Sequence, residues 1–225
     1  MYPNTLSRDF VSPGDDPWLL RLRRGLAGLT PNGQVPGRAF LGLPETQVAR
    51  IRELMPPNPT VAAVLMPVIA RPTGPTLLFT ERAAALRRHS GQISFPGGRP
   101  EATDTSATAG ALRESGEEIG LPETAVEVLG HLPEQIILTG FRVTPVVGWV
   151  TPGWPLRPDP KEVADVFEVP LEFLLERGNR VVCRRRIGDE IEVELEEFHW
   201  QGRRIWGATA EMVMALAALL ETSGD

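Results

Sequence analysis

The sequence predicts an α/β sandwich with a mixed β-sheet, preceded by a short helical N-terminal extension. Three observations predict it. Residues 61–70 form a near-continuous apolar run rich in β-branched side chains, as in a strand buried on both faces. Residues 105–119 and 208–220 carry apolar side chains at helical spacing. Further strand-like segments are interleaved with these two helices, which is the order of a layered α/β domain. A chain of 225 residues with 42% hydrophobic and 23% charged side chains can bury one good core and is short for two.

Taken in order, residues 1–58 read as the extension and residues 59–225 as the main domain. Trp18, Leu19, Leu20, Leu22 and Leu26 recur on one side of a short helix, which Gly25 and Gly28 weaken. After a Pro/Gly-rich stretch, Pro44-Glu45-Thr46 opens a second helix reaching about Met55, with Val48, Ile51 and Leu54 on one stripe. Pro56-Pro57-Asn58-Pro59 ends it, since proline cannot continue a helix. The first strand (61–70) is followed by a turn at Pro72-Thr73-Gly74 and a second strand at 76–80. An arginine-bearing loop then leads through residues 91–98 to the helix at 105–119. Strands are predicted near 125–137 and 142–150, with Thr144-Pro145 at a bend. Residues 170–177 read as a short helix. Segments 180–186, 190–200 and 203–206 read as a late antiparallel group, and 208–220 as a closing helix stopped by Ser223-Gly224.

Charge and cysteine usage remove several classes. The net charge of -6 repels polyanions, so no nucleic-acid partner is expected. Cys183 is the sole cysteine, which excludes an intrachain disulfide and a cysteine-based zinc site. The first twenty residues lack the features of a secretory leader, and no apolar run is long enough to span a membrane. The expected address is cytoplasmic. No Gly-rich dinucleotide fingerprint, phosphate-binding Gly-Lys-Ser/Thr loop or Gly-x-Ser-x-Gly elbow is present.

The stretch that carries chemistry runs from Gly97-Gly98 to Gly120. On a helix advancing about 100° per residue, Glu114, Glu117 and Glu118 share roughly a 100° arc. Like charges so placed repel, and Arg113, four residues before Glu117, offsets only part of that. Hard divalent cations such as Mg²⁺ or Mn²⁺ favour such carboxylate clusters together with substrate phosphates. An isolated Glu-Glu pair is more often a solvated helix face.

The context points the other way. Gly98, Arg113-Glu114, Glu117-Glu118 and Gly120 resemble the Nudix box. Two departures stand out: Asp104 occupies the place of a glutamate, with one extra residue before Arg113, and Ser115 replaces an aliphatic residue. Outside the box, residues 77–82 and 86–98 resemble the coenzyme A diphosphatase branch of that family. So do residues 139–148, 162–171 and 204–210. The resemblance covers about residues 60–215 and implies a Nudix-type α/β/α sandwich. It also implies hydrolysis of coenzyme A or its thioesters to 3′,5′-ADP and (acyl-)4′-phosphopantetheine, with Mg²⁺ or Mn²⁺ as cofactor.

By this resemblance Glu114, Glu117 and Glu118 hold metal, Arg113 orients the carboxylates, and Gly97 and Gly98 shape the loop. Glu162 is the candidate general base, with a surface residue or a metal-ligand base as its alternatives. Arg82, Arg87 and His89 either hold substrate phosphates through charge-assisted bonds or lie on a solvated loop. His131, His199 and Trp206 are expected to be structural. Met212, Met214, Leu216 and Leu219 are expected to pack in the core, part of that face being available to a homodimer contact. Alternative substrates are NADH, ADP-ribose or a capped RNA end, and a further alternative is a Nudix domain that binds a nucleotide without cutting it.

Overall fold

The computed structural model describes residues 16–30, 44–84, 91–137, 140–187 and 191–222. Helix α1 (Pro17–Leu26) and helix α2 (Glu45–Leu54) precede the sheet strands. These are β1 (Thr60–Ile69), β2 (Thr76–Arg82), the two-residue β3 (Ile93–Ser94) and β4 (Gly97–Gly98), β5 (Val126–His131), β6 (Gln135–Ile137), β7 (Phe141–Val150) and β8 (Val163–Pro170). Helix α3 (Ala107–Ile119) lies between β4 and β5. After β8 come α4 (Leu171–Leu175), the strands β9 (Arg180–Ile187), β10 (Ile191–Trp200) and β11 (Arg203–Ile205), and helix α5 (Gly207–Thr222).

The large sheet is mixed. β1 and β7 run parallel at its centre from Thr60↔Phe141 to Ile69↔Val150, and the other pairings are antiparallel. Alternation along each strand sorts the side chains onto two faces. Ala63, Leu65 and Ile69 of β1, Leu78 of β2, and Val146 and Val150 of β7 pack beneath α3 with Ala111, Leu112 and Ile119. Met66, Val68, Leu77, Phe79, Val143, Val147 and Trp149 face the opposite way, onto α1, α4, α5 and the three-stranded sheet β11-β10-β9. The result is the predicted α/β/α sandwich.

Helix α1 belongs to this core. Asp16 caps it, its carboxylate accepting from the backbone N–H of Trp18 at 2.8 Å, and Pro17 sets the first helical φ. Leu19, Leu22 and Leu26 are buried, and the Arg21 guanidinium donates to the Leu220 carbonyl near the end of α5 at 2.8 Å. Leu22 is 0% exposed, so Leu22→Ala is expected to cost about 2–5 kcal/mol, read by urea denaturation. A change below about 0.5 kcal/mol would show that α1 is not part of the cooperative core. Helix α2 instead covers the small sheet, with Ile51 packed on Ile191 and Val193.

Several sequence expectations need correction. The segment expected at 125–137 is two strands, β5 and β6, broken at residues 132–134. Thr144-Pro145 is not a bend but lies inside the continuous β7. The Leu132 N–H donates to the Pro145 carbonyl, so the Pro145 nitrogen turns toward the same edge, where the partner strand is interrupted. β8 falls where the acidic composition showed no strand. In helix α5, Met212, Met214 and Leu216 are buried in the core as expected, and Leu219 is half-buried. No described helix is long and apolar enough to cross a membrane.

Candidate active site

Helix α3 is set by its ends. The Ser106 hydroxyl accepts from the Ala109 N–H at 3.1 Å, and Gly120 terminates the helix in the left-handed region at φ 69°. Two orphan carbonyls of the last turn are taken by the following loop: Arg157 N–H donates to Ile119 O at 2.8 Å and Asp159 N–H to Glu118 O at 2.9 Å. The same loop continues into Glu162, whose carbonyl accepts from the Ala83 N–H at 2.8 Å. The C-terminus of α3 therefore fixes the backbone of Glu162. Ser115, in the place of an aliphatic residue, is buried and returns its hydroxyl to the Ala111 carbonyl at 2.7 Å, so it adds no unsatisfied polar atom to the helix–sheet contact.

The strand β4 runs against this helix and joins β1 at Ala63↔Gly98 and Val64↔Gly97. Gly97 adopts φ 150°, and a Cβ there would lie 2.3 Å from the Ala63 carbonyl oxygen. A Cβ on Gly98 would lie 2.6 Å from the carboxyl carbon of Glu114. Gly97 thus lets the backbone press against β1, and Gly98 lets it press against the Glu114 side chain of the helix. The Gly97 N–H donates to Glu118 Oε2 at 3.1 Å, which ties loop to helix.

Arg113 organises the other carboxylates. Its guanidinium donates to Asp104 at 3.1 Å, to Glu114 at 3.0 Å, to Glu117 at 2.9 Å and to the Arg99 carbonyl at 3.2 Å. Asp104 also accepts from the Glu101 N–H at 2.7 Å, and the bond from Arg113 holds its carboxyl below the usual range. The extra residue before Arg113 is thus taken up in a turn that still brings Asp104 onto it.

The three box glutamates are not equivalent. Glu118 is 5% exposed, and its burial pushes the carboxyl up to about 7, against the opposing effects of the Gly97 N–H and the nearby Arg82 charge. Glu114 is also raised, by burial first, with Arg113 opposing and the charges of Glu117 and Glu162 adding to the rise. Glu117 faces solvent apart from its bond to Arg113. Glu162 is exposed, yet close enough for its charge to act on both Glu114 and Glu118. Arg82, at the end of β2, lies beside Glu118, and its buried Nε has no hydrogen-bond partner among the described residues.

Glu114, Glu117, Glu118, Arg113, Gly97, Gly98, Glu162 and Arg82 therefore lie around one site. Arg87 and His89 fall outside the described residues. Among the described residues no three acidic, histidine or cysteine side chains already converge as a metal site, because Arg113 draws Glu114 and Glu117 to itself. The donor set nonetheless fits a hard divalent cation: carboxylate oxygens, two of them desolvated, raised in pKa and mutually repulsive. Residues that sequence reading passed over are Arg157 and Asp159, which cap α3, and Thr80, whose hydroxyl donates to the Ser94 carbonyl at 3.2 Å beneath the loop. Arg157 and Asp159 carry no pattern visible in the chain, and Thr80 lies in the segment 77–82 without a role having been read for it. His131 bonds Thr108 at 2.7 Å, and Trp206 is half-buried rather than in the core, with the guanidiniums of Arg185 and Arg204 5.3 and 5.2 Å from its ring centroid.

Comparison with known proteins identifies the family. The NUDIX domain family model matches residues 59–189. The uncharacterized Nudix hydrolase NudL of Salmonella paratyphi B is 45% identical over 163 residues, covering 71% of this chain and 82% of its own. Among solved structures, the Nudix hydrolase RenU of M. smegmatis is 21% identical with a TM-score of 0.44, covering 51% of this chain and 72% of its own. A MutT/nudix family protein of Enterococcus faecalis is 14% identical with a TM-score of 0.47, covering 80% and 70%. With its domain matched over 131 residues (59 to 189) and a relative at 45% identity, this chain belongs to the Nudix hydrolase family.

Proposed function

We propose that the protein hydrolyses the diphosphate of coenzyme A or its thioesters, giving 3′,5′-ADP and (acyl-)4′-phosphopantetheine. The observation that carries the hydrolytic reading is the pair of desolvated carboxylates, Glu114 and Glu118, held against Gly97-Gly98 beside Arg82, whose buried Nε has no hydrogen-bond partner among the described residues. The substrate reading is supported by the segments 77–82, 86–98, 139–148, 162–171 and 204–210, which resemble the coenzyme A diphosphatase branch. In this reading residues 59–225 carry the chemistry and residues 1–58 are an extension. The protein acts in the cytoplasm as a homodimer, without a nucleic-acid partner.

Glu114, Glu117 and Glu118 would hold Mg²⁺ or Mn²⁺. When bound, such an ion neutralises the diphosphate oxygens and favours the hydroxide form of water at neutral pH. Arg113, bonded to both, would orient the Glu114 and Glu117 carboxylates. Arg82, together with Arg87 and His89, supplies cationic donors to the substrate phosphates. Glu162, exposed and fixed through its backbone, takes the proton of the attacking water as oxygen bonds to phosphorus and the bridging P–O bond breaks. The leaving phosphate carries away the bridging oxygen.

The test is a substrate panel of coenzyme A, acetyl-coenzyme A, NADH, ADP-ribose and a dinucleoside polyphosphate, incubated with Mg²⁺ or Mn²⁺ and resolved by chromatography. The expected result is 3′,5′-ADP appearing fastest from the coenzyme A samples and vanishing with chelator. Faster cleavage of another member would overturn the substrate reading and leave the hydrolytic site in place. No cleavage of any member would favour a domain that binds without cutting.

A further inference from the structure

The segment 204–210 takes no part in the chemistry above, yet the structure brings it onto the loop that carries Gly97 and Gly98. Gly207, at φ 60°, turns the chain from β11 into α5. Two residues on, Thr209 is 9% exposed, and its hydroxyl donates to the carbonyl of Ile93 in β3 at 2.9 Å. The rest of this loop is held as closely. The Gln92 carbonyl accepts from the Arg82 N–H at 3.0 Å, the Ser94 carbonyl from Thr80 Oγ1 at 3.2 Å, and the Pro96 carbonyl from the Leu65 N–H at 2.9 Å. Phe95, 3% exposed, stacks on Phe79 with ring centroids 4.9 Å apart. The next residue after this clamped run, Gly97, presents its N–H to Glu118.

Most of these restraints come from β1 and β2, inside residues 59–189, where the family model matches. Thr209 reaches in from a helix beyond that span. A β-branched side chain in a helix has few rotamers, so its hydroxyl is aimed rather than searching. Losing it leaves a carbonyl short of a buried partner at the strand that leads into the catalytic glycines.

We propose that Thr209 is a positioning residue for hydrolysis: through the Ile93 carbonyl it sets β3, and hence the Gly97 amide and the Gly98 backbone, against Glu118 and Glu114. The assignment makes α5 a working part of the site rather than a packing helix alone. It rests on the reading of Gly97-Gly98 and the box glutamates as the catalytic centre.

The experiment compares wild type, Thr209→Val, which keeps the shape and removes the donor, and Thr209→Ser, which keeps the donor and removes the methyl. Steady-state kinetics use whichever panel substrate the wild type cuts fastest. Amide hydrogen exchange across residues 91–98 is measured without substrate or metal. For Thr209→Val the expected result is a roughly tenfold fall in kcat with little change in KM, as a displaced reacting geometry gives. Exchange across 91–98 should rise by about tenfold, since losing the hydroxyl loosens the strand locally. Thr209→Ser should return both toward wild type. Unchanged exchange in the valine variant would overturn the clamp, and raised exchange with kcat intact would overturn its role in the reaction. Should the valine variant fail to fold, the serine variant decides: near-wild-type values support the hydroxyl, and losses on both readouts assign Thr209 to packing. The exchange readout needs no substrate, so a wild type that spares coenzyme A would refute the substrate reading while leaving the Thr209 result standing.

Discussion

Glu118→Gln is expected to lower turnover by about a thousandfold while making the metal-free protein more stable at pH 8. The loss of turnover follows from removing a carboxylate oxygen from the donor set. The gain in stability follows from burial, which raises the Glu118 carboxyl from 4.5 to about 7 in the fold. A raised folded pKa means that the fold prefers the protonated acid. That preference contributes fully below about pH 4.5 and is lost as pH climbs through 7. Between pH 5 and 8 the metal-free wild type should therefore lose up to about 3 kcal/mol from this group alone. Glutamine carries no charge to desolvate and can still accept the Gly97 N–H, so the variant should lack that slope. Urea denaturation in chelator at pH 5 and pH 8 measures it. A wild type and variant with the same pH slope would remove the claim that Glu118 is held in a desolvated state.

The two glycines should fail in different ways when alanine replaces them. In Gly97→Ala the new Cβ meets backbone, 2.3 Å from the Ala63 oxygen and 2.6 Å from the Val64 Cα, at a φ that L-residues rarely adopt. Neither strand can yield without breaking the β1–β4 pairing, and the expected loss is about 3 kcal/mol of stability or more, together with turnover. In Gly98→Ala the three atoms nearest the Cβ all belong to the end of the Glu114 side chain, its carboxyl carbon at 2.6 Å. That carboxylate can swing away, so the fold should survive while kcat falls about a hundredfold from misplacement of the carboxylate. Thermal melts beside kinetics separate the two. An active, stable Gly97→Ala protein would contradict the described contact of β4 with β1.

How much of this was legible in the chain depends on what hides each element. β1 was readable because both of its faces are covered, giving an unbroken apolar run. β8 was not, because Asp165 and Glu168 interrupt its apolar residues. The structure shows why a strand tolerates them: Arg203 pairs with Asp165, and Arg71 and Thr76 with Glu168. Those partners come from distant segments, so no local window shows them. β3 and β4 are two residues each, too short for any period, and exist because β1 and β2 offer open edges. Helical spacing placed Glu114, Glu117 and Glu118 on one arc, as found. It did not show that Glu117 faces water while Glu118 is buried, since that difference is made by β4 and the Asp159 loop. The role of Thr209 was hidden for the same reason: its partner, Ile93, is 116 residues away.

The docking of α1 on α5 has a consequence for biosynthesis. Arg21 and the Leu220 carbonyl it grips are 199 residues apart, and α1 leaves the ribosome long before α5. At synthesis rates of about 5–20 residues per second, Leu19, Leu22 and Leu26 wait on the order of ten seconds or more without their final cover. Throughout that interval the nascent chain presents a sticky helix to chaperones and to neighbouring chains on the same message. A pause in translation ahead of α5 would lengthen that exposure and should show up as lower soluble yield, with no change in the finished enzyme.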